Sequence, residues 1–131
     1  MATVQQKIEA KGLIKRAIRV PVTVTNGASA GTFVVPRGAI VTEIYRDTPT
    51  TIPGTPTNSN LRIGSAANGQ QYVADVDVKA QGFTSLTVVY AARNAAQAAD
   101  ATFHYTIAST GGTAADQDGS ISLVVEYVLA V

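Results

Sequence analysis

The stretch GTFVVPRGAIVTEIY, Gly31 to Tyr45, holds two strand-like runs around a single corner, and a chain built on it has to be a β-protein. Thr32, Phe33, Val34 and Val35 are β-branched or aromatic. Pro36 removes a ladder donor, and Gly38 supplies the positive φ that a type II turn needs. The run from Ala39 to Tyr45 puts Ile40, Thr42 and Ile44 on one face and Val41, Glu43 and Tyr45 on the other, which is strand periodicity. One strand leaves a sheet at this corner and another enters.

The same period of two recurs on both sides. Ile18, Val20, Val22 and Val24 alternate with Arg19, Pro21, Thr23 and Thr25. Pro21 has no amide hydrogen, so this strand belongs at an edge or carries a bulge. Residues 26–31, NGASAG, read as a loop. After Tyr45, RDTPTTIPGTPTNSN has three prolines and a glycine, which forbids a central strand and predicts an exposed loop. Leu61 and Ile63 make a short strand. Tyr72, Ala74, Val76 and Val78 then face one way against Val73, Asp75 and Asp77. Leu86, Val88 and Tyr90 form a further buried run. Ala91 to Ala101 is the one helix-friendly window, and it fits a turn or two of helix or a loop equally well. Phe103, Tyr105 and Ile107 alternate up to a stop at Gly111-Gly112, and residues 113–119 form a second polar loop. Ile121, Leu123, Val125, Tyr127 and Leu129 mark the longest strand. About eight strands with no helical crossover predict an antiparallel β-sandwich of jelly-roll or Ig-like kind.

At 131 residues this is one domain, expected over 17–131, preceded by an N-terminal basic arm over 1–16. In the arm Lys7, Lys11, Lys15 and, beyond it, Arg19 recur every four residues, while Val4, Ile8, Leu13 and Ile14 make only a weak apolar stripe and Gly12 opposes a helix. The segment reads either as a solvated terminus or as an arm that orders on a neighbouring subunit. Lys7, Ile8, Lys11, Leu13, Lys15 and Arg16 are its candidate partner-binding residues.

Charged residues are 15% of the chain and hydrophobic ones 46%. An ordinary domain carries roughly 25% charge, so a surface partly covered by copies or partners is expected. A net charge of +1 provides no field for capturing nucleic acid. No run is long enough to span a membrane, MATVQQKIEAKG lacks the apolar core of a secretion signal, and an unexported protein is expected. With no cysteine there is no disulfide framework and no thiolate chemistry.

Chemistry-bearing constellations are sparse. His104, the one histidine, would need a serine and an aspartate brought to it, no G-x-S-x-G elbow is present, and a polar strand-face residue is the stronger reading. One histidine without cysteine does not make a zinc site. Asp116-Gln117-Asp118-Gly119 resembles a calcium loop, but its ligand order is wrong and no closing glutamate follows, which leaves a tight turn; Asp75 and Asp77 join such a site or face water. Glu43 and Glu126 interrupt apolar runs and invite a paired-carboxylate reading of the glycosidase kind. A cross-strand arginine such as Arg46, Arg62 or Arg93 accounts for them more simply. No catalytic residue, cofactor or metal is expected.

VPRGAIVTEIYRDTPT, followed by NLRIGS and YVADVDVKAQG, resembles a pattern in small β-sandwich virion proteins of tailed bacteriophages. There a Pro-x-Gly-Ala turn precedes an Ile-Val-Thr strand, a threonine-rich loop, a Leu-x-Ile/Val-Gly strand and a Tyr-Val-Ala strand. The resemblance covers about the middle third to half of the chain and carries no functional residues with it. It implies a capsid decoration protein, assembled in the host cytoplasm, that binds the major capsid protein on the outer shell as a homo-oligomer, with a trimer favoured. The competing expectations are a receptor- or glycan-binding module of a head fibre, a neck or tail accessory protein, and, least supported, a hydrolase using Glu43 and Glu126.

Overall fold

The computed structural model describes residues 13–86, 97–113 and 117–130. Eight strands follow one another as β1 (Leu13–Val24), β2 (Ala28–Val35), β3 (Ala39–Thr48), β4 (Asn58–Gly64), β5 (Val73–Asp77), β6 (Gly82–Ser85), β7 (Ala101–Thr110) and β8 (Gly119–Ala130). They form two four-stranded antiparallel sheets, ordered β1-β8-β3-β6 and β2-β7-β4-β5. The pairs β1·β8, β2·β7, β3·β6 and β4·β5 nest inside one another, as in a long hairpin rolled up on itself. Only β4 and β5 are sequence neighbours within one sheet. That is the jelly-roll order, and it excludes the Ig-like alternative, in which consecutive strands pair.

The turns explain how the chain changes sheets. At Asn26-Gly27 both residues have positive φ, 51° and 73°, and Thr25 and Ala28 exchange backbone hydrogen bonds of 3.0 and 3.1 Å. This is the two-residue turn that Asn-Gly favours, so β2 starts at Ala28 and the loop expected over 26–31 is reduced to its first two residues. At the opening corner Gly38 has φ 83° and Ala39 N–H donates to Pro36 O at 3.1 Å. The expected type II turn is present, and it carries the chain from β2 in one sheet to β3 in the other.

β1 is an edge strand, as Pro21 requires, and its ladder to β8 runs unbroken from Leu13 opposite Ala130 to Val24 opposite Gly119. The strand therefore begins three residues before the expected end of the arm at 16. β3 departs from simple alternation: its register to β8 slips between Val41 and Glu43. Ala39 and Val41 point inward before the slip, and Ile44, Arg46 and Thr48 after it. A bulge of one extra residue resets the phase, which moves Val41 into the core and Ile40 out of it. A second bulge lies in the β4·β5 ladder, where Leu61 meets Val76 and Ile63 meets Val73. Val73 is consequently fully buried and Ala74 exposed, the reverse of the sequence expectation.

The core between the sheets includes Val22, Val35, Ile44, Leu61, Phe103, Ile107, Leu123 and Val125. Phe103 sits between Phe33 (ring centroids 5.3 Å) and Tyr72 (4.2 Å, nearly parallel). Each large apolar side chain enclosed this way contributes about 1.5–3 kcal/mol. The proline-rich segment between β3 and β4 is not simply an exposed loop. Ile52 is fully buried, its N–H donates to Lys79 O at 2.9 Å, and the Lys79 ammonium is held by Gly54 O at 2.9 Å and by Pro56 O. The segment is a strap pinned across one end of the sandwich. Arg46, pointing inward and only 9% exposed, donates to Thr84 Oγ1 (2.8 Å), Thr48 Oγ1 (3.0 Å) and Ala80 O. It fastens β3 to the segment that leads into β6. β6 covers Gly82–Ser85, so it starts earlier than the strand expected from Leu86 to Tyr90, whose later residues lie outside the described ones. The helix-or-loop window over 91–101 lies outside them too, up to 96, and its last residue opens β7.

Candidate partner-binding surface

The outer face of the β1-β8-β3-β6 sheet carries a group of polar and aromatic side chains. Outward positions follow from the register. Glu43 lies directly opposite Glu126, Tyr45 opposite Val124 and Asp47 opposite Ser122. On β1, Ala17 lies opposite Glu126 and Arg19 opposite Val124. Two carboxylates facing each other across a ladder repel, and each has its own compensation. Lys15 Nζ is 3.5 Å from Glu126, and Ser85 Oγ donates to Glu43. Arg19 pairs with Asp47 at 3.0 Å. These are exposed or half-exposed pairs, each worth about 0–1 kcal/mol.

Two of the three arginine partners expected for the glutamates, Arg46 and Arg62, make other contacts. Arg46 is turned into the core, and Arg62 forms a bidentate pair with Asp75 (Nε to Oδ1 2.9 Å, Nη2 to Oδ2 2.8 Å). Arg93 lies outside the described residues. Asp77 accepts from Ser59 N–H and Lys79 N–H at 2.9 and 3.1 Å, and Asp118 from Asn26 N–H at 2.8 Å. These carboxylates are therefore spent on structure. Among the described residues no group of three His, Cys, Asp or Glu is placed to hold a metal ion.

Tyr45 joins the paired glutamates to an aromatic patch. Its hydrogen bond with Glu126 pushes the phenol's pKa above its ordinary value; desolvation and the charges of Glu126 and Glu43 add to the effect. The ring stacks on Phe83, with centroids 5.0 Å apart and planes 15° from parallel. Phe83 is 56% exposed, and it and Val34 (52%) are the exposed large hydrophobics among the described residues. On β8 Val128, which alternates with the inward residues, is also buried, at 3% exposed. Sequence reasoning missed the Tyr45–Phe83 stack because β6 was placed too late in the chain. Its one signal was Phe83 directly after Gly82.

Of the candidate arm residues, Lys7, Ile8 and Lys11 lie outside the described residues. Leu13 opens the β1 ladder. Lys15 and Arg16 are exposed on that strand, and Lys15 already has a carboxylate partner within the chain. Among the described arm residues, the structure brings Lys15 to Glu126. His104 is a half-buried residue of β7, opposite Thr32 and Gly64.

No protein-family model matches the chain, and no curated protein matches its sequence. Among solved structures, a chain in the capsid of Ralstonia phage GP4 is similar with TM-score 0.60 and 23% identity, over 90% of this chain and 86% of that one. A chain in the capsid asymmetric unit of cyanophage Pam1 is similar with TM-score 0.54 and 22% identity, over 89% and 86%. What these chains share with the present one is the fold.

Proposed function

We propose that the chain is a structural, non-enzymatic protein of a tailed-phage virion, a decoration protein that binds the major capsid protein on the outer shell as a homo-oligomer. The observation that carries the reading is the fold, matched over nine-tenths of the chain by chains found in two phage capsids. The mid-chain sequence resemblance to small virion proteins points the same way. The low charge and the exposed Tyr45–Phe83 patch suit a molecule that works by being covered. Residues 1–16, with Lys7, Ile8, Lys11, Leu13, Lys15 and Arg16, supply contacts to the shell or to a neighbouring subunit.

Mass spectrometry of purified virions tests the role through stoichiometry. Decoration requires a copy number comparable to that of the shell protein, whereas a few copies per particle would move the chain to the neck, tail or a fibre. A receptor- or glycan-binding module is the second reading, favoured by one feature: an exposed aromatic stack beside carboxylates. Binding on a glycan array that is lost in Phe83→Ala would support it over decoration.

A further inference from the structure

Among the described residues the two sheets have four edge strands, β1, β6, β2 and β5, and three of them are protected against pairing with another strand. β1 carries Pro21 in its middle and Lys15, Arg16 and Arg19 along it. β6 is four residues long, and β5 is five residues long, bulged and acidic. Short length, charge, proline and bulges are the devices that keep edges from associating. β2 has none of them. Its eight residues, ASAGTFVV, contain no charge and no proline, and their register to β7 is unbroken.

The orientation of its free groups follows from the turn before it. Ala28 exchanges both of its backbone bonds with Thr25, so its N–H and C=O point away from β7. In an antiparallel strand this direction alternates, and Ala30, Thr32 and Val34 therefore present their N–H and C=O groups to the open edge. All three are exposed, and Val34 is one of the two exposed large hydrophobics among the described residues.

We infer that β2 is the strand by which two copies of this chain join, pairing antiparallel with itself about a two-fold axis through Thr32. In that register Thr32 meets its own copy on the axis and Ala30 lies opposite the copy of Val34, so each free donor finds an acceptor. No like charges are brought together, and the outward side chains are small or β-branched. Thr–Thr and apolar cross-strand pairs are stabilising. The contact is self-complementary and closes after one partner, joining the two β2-β7-β4-β5 sheets into one continuous sheet. It favours a two-fold particle over the three-fold one that the sequence resemblance implies, and it stands whether or not the chain is a decoration protein.

The test uses the full chain at micromolar concentration. Light scattering should give a two-chain mass for the wild type and for Ala17→Lys on β1, and a single chain for Thr32→Lys, which places two ammonium groups on the axis. Amide hydrogen exchange should be slow at Ala30, Thr32 and Val34 in the wild type and fast after dilution to the single chain. The chain has no cysteine of its own, so Thr32→Cys should oxidise to a covalent dimer, because facing Cα atoms about 5.5 Å apart lie within disulfide range. Exchange and cross-linking decide the matter even if Thr32→Lys fails to fold. A wild type that stays a single chain, a three-chain particle, or an oligomer in which those three amides exchange fast would overturn the inference.

Discussion

Arg46 shows how one charged residue can be structural rather than catalytic. It is the buried charged side chain among the described residues, and its hydrogen-bond partners there are two threonine hydroxyls and a carbonyl. Hydrogen bonds from a charged donor are worth about 1.5–3 kcal/mol. Arg46→Ala should therefore lower unfolding stability by about 3 kcal/mol in urea denaturation, once the cavity is included. Arg46→Met, which keeps most of the volume, should lose less. On the outer face, Tyr45 offers a spectroscopic test of the paired glutamates. Its pKa is raised from 10.0, first by the hydrogen bond with Glu126. A raised folded-state value contributes stability that is fully present below the unfolded phenol's pKa and is lost as pH rises through the folded one. Glu126→Gln removes the charge but keeps an acceptor, so the phenol absorbance of Tyr45 should titrate at lower pH than in the wild type. An unmoved titration would mean that the two side chains do not meet in solution.

At the scale of elements, the β3 bulge decides which faces of the sheet are built. Thr42 is the extra residue between Val41, opposite Tyr127, and Glu43, opposite Glu126. Its hydroxyl donates to Glu126 O at 3.2 Å. Deleting Thr42 leaves Val41 and Ile44 inward and Glu43 and Tyr45 outward, so the variant should unfold cooperatively with a loss of about 1 kcal/mol. Deleting Tyr45 instead turns Arg46 and Thr48 outward and should abolish folding. Circular dichroism melts separate the two outcomes. The strap between β3 and β4 gives a second contrast: Ile52→Ala should cost about 2–4 kcal/mol, whereas an exposed loop position would cost almost nothing. These two elements mark where the sequence was legible and where it was not. The strands with intact alternation, Ile18 to Val24 and Ile121 to Tyr127, reveal their buried faces directly, because a single period holds along them. Val41 and Val73 were assigned to the wrong face because a bulge adds one residue without altering residue type. Ile52 was lost among prolines because its burial depends on Lys79 O, far along the chain. The Glu43–Glu126 pairing was legible as two carboxylates of unusual position, but their adjacency is a property of register between strands far apart in sequence.

For the whole molecule, the rolled hairpin brings the start of β1 beside the end of β8. Leu13 faces Ala130, and Leu129 faces Ala39 just after the Gly38 corner, so β1 begins at the end of the sandwich where the last strand finishes. The proposed arm is shorter than the sequence implied, because Lys15 and Arg16 are rungs of the ladder and Lys15 is partly neutralised by Glu126. The binding charge of the arm then rests chiefly on Lys7 and Lys11, with Val4 and Ile8 as its apolar contacts. Ordering such a segment costs about 1–2 kcal/mol per residue, which charge pairs in water cannot supply alone, so both kinds of contact are needed. Deletion of residues 1–12 should weaken capsid binding and reduce its salt dependence, since exposed charge pairs are screened, while leaving the thermal unfolding of the sandwich nearly unchanged. Deletion of residues 1–16 removes the rungs from Leu13 to Arg16 as well and should lower the melting temperature. If the shorter deletion already collapses the fold, residues 1–12 belong to the core structure and the arm does not exist; if it leaves capsid binding and its salt dependence intact, the shell contact lies on the sandwich itself, with Tyr45 and Phe83 the first residues to substitute.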